Sequence, residues 1–174
     1  MNPRMQCSLA SQPFLTLEAT LKTRATVLTL VMLFIGLSIC FAQNPNMGTW
    51  KLNDAKSKIP AGASKNTMVK YEAAGDKIKA TVDGVDGQGK PTHNVWTGKF
   101  DGKDYPVTGD PTSDTRSIKQ VDDHHLELTV KKGGKVTITG TIVLSPDGKS
   151  RTLTASGMDS MGMKMESVSV YDKQ

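Results

Sequence analysis

Apolar and polar residues alternate with a period of two along most of the chain beyond residue 45. Ile78, Ala80 and Val82 alternate with Lys77, Lys79, Thr81 and Asp83. Leu126, Leu128 and Val130 alternate with His125, Glu127, Thr129 and Lys131. Val136, Ile138, Gly140, Ile142 and Leu144 alternate with Thr137, Thr139, Thr141 and Val143, and Val168 and Val170 repeat the pattern near the end. A period of two places one side-chain set on a core and the other in water, so these runs predict antiparallel strands.

The gaps carry turn chemistry. Gly75-Asp76, Asp86-Gly87-Gln88-Gly89, Asp101-Gly102-Lys103, Asp122-Asp123, Gly133-Gly134 and Pro146-Asp147-Gly148 punctuate the runs. Such residues reach the positive φ of tight hairpins. Ten strands are predicted, near 48–53, 66–74, 77–84, 92–100, 103–108, 114–121, 124–132, 135–144, 149–157 and 164–172. The stretch Ala55 to Ser64, with Lys56, Ser57, Lys58, Pro60 and Gly62, breaks the alternation. It predicts a loop with one helical turn crossing a barrel mouth. The fold class is all-β: an antiparallel meander closed into a barrel, or stacked as a sandwich.

The first 42 residues read differently. Ala25 to Ala42 is uncharged and rich in Val, Leu, Ile, Met and Phe, with Lys22 and Arg24 before it and Cys40-Phe41-Ala42 at its end. A basic start, an apolar run and a small final residue describe a secretory signal peptide cleaved after Ala42. A retained anchor helix is the alternative, since about 18 apolar residues can span a bilayer. Leu37-Ser38-Ile39-Cys40 is a poor lipidation box, because Ile39 stands where a small residue is wanted. Glu18 and mixed polarity precede this otherwise complete leader, which suggests translation from Leu21. A precursor whose N-terminal sequence begins at Met1 would exclude that start.

The domains are therefore a 1–42 extension and leader and a 43–174 barrel. The address is exported, periplasmic or extracellular. Both cysteines, Cys7 and Cys40, precede residue 43, so the barrel must hold together by its core alone. That core is thin: Leu, Ile, Val and Phe make up 22 of the 132 residues from 43 onward. Much of the inward surface must be small or polar, which disfavours a wide lipid cavity. Without Arg4, Lys22, Arg24 and Glu18 the net charge falls from +5 to +3, with lysines scattered along the chain. This is a solvated surface and not a nucleic-acid stripe.

Gly48-Thr49-Trp50 opens the first predicted strand. With the meander behind it, the motif resembles the lipocalin and fatty-acid-binding superfamily, the calycins. More narrowly, GTWKLNDAKSK, KFDGKDYPVTGDPTSDTRS and the VYDKQ end are similar to small exported bacterial lipocalin-like proteins of unassigned activity. The resemblance implies a closed barrel of 8–10 strands. It implies that Trp50 plugs one end beneath a basic side chain from near the last strand, with Gly48 turning the chain in. The last strand offers Lys164 and Lys173, and the arginines beyond residue 42, Arg116 and Arg151, lie on other strands. Arg116 is the candidate partner of Trp50. The chain departs from lipocalins in having no C-terminal helix, and from fatty-acid-binding proteins in having no helical lid.

The ligand-facing candidates are Tyr71, Trp96, Phe100, Tyr105 and Arg116; the same rings could simply fill the core. Met158, Met161, Met163 and Met165 crowd one hairpin and could hold Cu(I) as soft ligands. Met165 could equally be core filler. His124 and His125 point to opposite strand faces and cannot chelate together. Asp83, Asp86, Asp101, Asp104, Asp110 and Asp114 do not form a calcium loop. Gly-x-Ser-x-Gly, His-Glu-x-x-His and a cysteine nucleophile are all missing beyond residue 42, so no catalytic residue is expected. The resulting expectation is a non-catalytic, monomeric carrier of a small, moderately apolar molecule. It needs no cofactor, no nucleic-acid partner and no membrane once the leader is removed. The alternative is an envelope scaffold that binds a partner protein through its loops.

Overall fold

The computed structural model describes residues 44–158 and 164–174. The leader, Cys7, Cys40, Met161 and Met163 lie outside them.

Turn residues divide the chain into ten strands. These are β1 (Gly48–Leu52), β2 (Lys65–Ala74), β3 (Lys77–Val85), β4 (Pro91–Gly98), β5 (Tyr105–Thr108), β6 (Thr115–Gln120), β7 (His125–Lys132), β8 (Lys135–Leu144), β9 (Ser150–Met158) and β10 (Lys164–Lys173). Each pairs antiparallel with the next, and β10 returns to β1, so the sheet is a closed barrel. Closure leaves no free sheet edge. Sandwich stacking is thereby excluded.

Antiparallel order sorts the connections onto two ends. The chain before β1, the β2–β3, β4–β5, β6–β7 and β8–β9 turns and the C-terminus share one end. The other five connections share the far end.

The loop after β1 forms its helical turn at Asp54–Lys56, capped by Asn53. It then follows the rim. Lys58 pairs with Val168 of β10 through two backbone hydrogen bonds of 2.7 and 2.8 Å, extending the short β1. Its Gly62 carbonyl meets the β3–β4 turn at Gly87. Rim-hugging replaces the expected crossing because β10 outruns β1 and would otherwise present unpaired backbone groups.

Ladder partners share a face, so register gives the interior in rows. Leu144, Arg151, Tyr171 and Leu52 form one row, directly above Trp50 and Lys173 at the end where the chain enters. Leu126, Ile142, Leu153 and Ser169 follow, then Leu128, Gly140, Ala155 and Ser167, then Val130, Ile138, Gly157 and Met165. The first two rows are large and mostly buried. In the third row only Leu128 is large, and in the fourth Gly157 is the one small residue among Val130, Ile138 and Met165. Thus the core sits at the entry end of the barrel.

Candidate functional site

Trp50 is fully buried, and its indole nitrogen donates to the Asn46 carbonyl at 2.9 Å. Gly48, at φ 106°, admits the chain at this end. The guanidinium of Arg151 lies 4.8 Å from the Trp50 ring centre, and the Lys173 ammonium lies 5.1 Å from it. Lys173 also donates to the Pro45 carbonyl at 3.0 Å, tying the entering chain to the last strand. The basic partner of Trp50 is therefore Arg151, helped by Lys173, and not Arg116. Arg151 lies on β9, the neighbour of the last strand, where alternation turns it onto the same face as Leu153. That position was the sequence signal: an arginine two residues before a core leucine.

Four of the ligand-facing candidates, the rings, form one contiguous group. Phe100 stacks on Trp96 with centroids 6.3 Å apart, Tyr105 meets Trp96 edge-on at 5.9 Å, and Tyr71 meets Phe100 edge-on at 5.9 Å. Trp96 is 0% exposed and its indole nitrogen donates to the Arg116 carbonyl at 2.8 Å. Gly98 makes the group possible. A Cβ there would stand 2.5 Å from Trp96 Cζ2 and 2.6 Å from Tyr105 Cγ, so only glycine lets the rings close over the strand. Trp96 and Tyr71 are both buried, and Phe100 joins them, stacked on Trp96 and edge-on to Tyr71.

Arg116 pairs across the sheet with Tyr105 and Val130, which sets it in the row of Val130, Ile138, Gly157 and Met165. Its Nη2 lies 3.4 Å from Asn94 Oδ1 and 3.9 Å from Asp110 Oδ2. Asp110, on the β5–β6 connection, accepts from the Thr112 backbone N at 2.8 Å, the Thr112 hydroxyl at 2.7 Å and the Ser113 hydroxyl at 2.7 Å. Burial pulls the Arg116 guanidinium below its ordinary range, and Tyr71 and Asp110 offset part of that. Burial pushes Asp110 up, but its bonds to Thr112 and Ser113, with Arg116 beside it, hold it below the usual carboxylate range overall. Both groups are charged at neutral pH. Asn94 and Ser113 were not singled out from the sequence, and Asp110 stood there only among the aspartates dismissed as a calcium loop. Asn94 had a signal, since it lies two residues before Trp96 and shares its face.

The other candidates disperse. His93 pairs with Asp83 at 2.7 Å and His125 with Asp122 at 2.8 Å, both at the surface. Met158 is exposed, and Met165 is half-buried opposite Gly157. Among the described residues no group of His, Cys, Asp and Glu could hold a metal ion, and no helix is long and apolar enough to cross a membrane.

The small-residue rows bear most directly on ligand binding. Ile138 faces inward beside Val130, yet Ile138 is 38% exposed while Val130 is 6% exposed. Ile138 stands close to the β7–β8 turn, and its exposure sets this row near that end of the strand.

No family model and no curated protein matches the chain. A solved structure similar to it is that of EF1p2_mFAP2b bound to DFHBI, with 11% identity over 76% of this chain and 96% of that one, and a TM-score of 0.43. At that score the likeness adds nothing to the barrel geometry described above.

Proposed function

We propose that the protein is an exported, non-catalytic carrier that holds one small, moderately apolar molecule inside its barrel. The supporting observation is the size gradient of the interior. Below, Trp50, Trp96, Tyr71, Leu126, Ile142 and Leu144 pack on each other. Above, the wall alternates the small Gly140, Ala155, Gly157 and Ser167 with Leu128, Val130 and Met165, and Ile138 meets solvent. Small sites are mostly apolar with a few polar groups that fix orientation. The upper rows supply the first, and Arg116 with Asn94 supplies the second. Tyr71, Trp96 and Phe100 then form the floor of the site, with Tyr105 beside Arg116. The leader ends after Ala42, and the mature protein works as a monomer in the periplasm or outside the cell.

Titration with the neutral dye Nile red tests this reading. The wild-type barrel is expected to bind it saturably at one site. Ala155→Leu fills the upper rows and is expected to abolish binding while the melting temperature stays within a few degrees. Equal binding by both proteins would place the dye elsewhere and reject the reading. The packed lower half favours the second reading, a scaffold with no small ligand, and an Ala155→Leu protein that is stabilised without any loss of binding would support it.

A further inference from the structure

The charges inside the barrel bear on which molecules it admits. Arg151 is spent on the closed end: it is 3% exposed and covered by the rings of Trp50, Tyr71 and Tyr171 at 4.8, 4.9 and 5.2 Å. Arg116 is the reachable cation. Its side chain is 13% exposed and stands in the row where Ile138 meets solvent. A guanidinium carries five N–H donors in a fixed fork. Among the described residues its polar partners are Asn94 at 3.4 Å and Asp110 at 3.9 Å, both long. Donors therefore remain for a ligand.

Asp110 is not free to move aside. Three donors from Thr112 and Ser113, all within 2.8 Å, lock its carboxylate on the loop. Ser113 is itself buried. A fixed negative charge thus stands beside the reachable guanidinium, and the pair is neutral as a unit. A ligand group accepting from Nη2, which lies 3.9 Å from Asp110 Oδ2, stays within about 7 Å of that carboxylate. A ligand carboxylate there meets like charge in a desolvated site, while an uncharged carbonyl oxygen accepts the same N–H bonds without that penalty.

We propose that the site selects uncharged ligands carrying a carbonyl-type acceptor, which Arg116 holds, and that Asp110 turns carboxylates away. This rests on the carrier reading above. The expected discrimination against a carboxylate of equal chain length is on the order of tenfold to a hundredfold.

The test uses 2-decanone and decanoate, which differ at the head group. Binding of each to the mature protein is measured by calorimetry and by the fluorescence of Trp96, whose indole nitrogen is bonded to the Arg116 carbonyl. The ketone is expected to bind at least tenfold more tightly than decanoate at neutral pH. Asp110→Asn is expected to bring the two affinities together by strengthening decanoate while the ketone holds steady. Equal or tighter binding of decanoate to the wild-type protein overturns the inference and leaves the carrier reading standing. Binding of neither probe overturns both. The wild-type comparison decides the matter even if the variant fails to fold.

Discussion

The guanidinium of Arg151 faces the indole of Trp50 at 4.8 Å while the ammonium of Lys173 lies 5.1 Å from the same ring. Two cations on one indole would repel each other in the absence of the ring. Their shared attraction to its π-cloud, and the burial of a large aromatic surface, hold β1, β9 and β10 at one end. Replacing Arg151 with Met keeps bulk and removes charge. Stability is expected to fall by about 2–4 kcal/mol, since the packed rings lose their common partner. A denaturant midpoint equal to wild type would show that the cation is not part of the plug.

Residues 44–47 belong to the same device. The Asn46 carbonyl accepts from Trp50, and the Pro45 carbonyl accepts from Lys173. A chain beginning at Gly48 leaves the indole N–H buried without an acceptor. Such a group costs about 1–3 kcal/mol, and thermal unfolding of the truncated chain should show it. A melting curve superimposable on that of the longer chain would mean that another acceptor takes over.

Gly98 tests the aromatic floor. Alanine there meets Trp96 and Tyr105 at about 2.5 Å, so the rings must separate. Overpacking of this kind costs about 1–3 kcal/mol. The near-ultraviolet circular dichroism of the tryptophans should weaken in step. Unchanged dichroism would contradict the ring arrangement.

Asp110 contributes a pH dependence. Its folded-state pKa is depressed below the ordinary aspartate value of about 3.9. A depressed carboxylate gives stability that is fully present above the ordinary value and is lost as pH falls through the folded one. Asp110→Asn is therefore expected to lower stability at pH 7 and to flatten its fall below about pH 4. Parallel pH profiles for the two proteins would assign the acid sensitivity to other carboxylates.

All ten strands were legible in the sequence because alternation and turn residues are local signals. Gly133-Gly134 between Val130 and Val136 predicts the β7–β8 hairpin without knowledge of the rest. What escaped was register. The partnership of Arg151 with Trp50 depends on β9 lying beside β10 and on Tyr171 standing opposite Arg151. The spacing of Arg151 from Leu153 puts it on the core face but does not say which ring it meets. Asp110 escaped for a related reason: its role depends on a loop folding back so that Thr112 and Ser113 hold it against Arg116, while in sequence it is one more aspartate beside a proline. The small residues Gly140, Ala155 and Gly157 gave no signal singly, and only the ladder sets them in adjacent rows.

Native mass spectrometry of the protein, purified without detergent from the cells that make it, tests the carrier reading most directly. A stoichiometric adduct is expected, and it should be missing from Ala155→Leu. An apo mass that persists after lipids and uncharged hydrophobic metabolites are offered would leave the barrel as a scaffold and move its function to the loops.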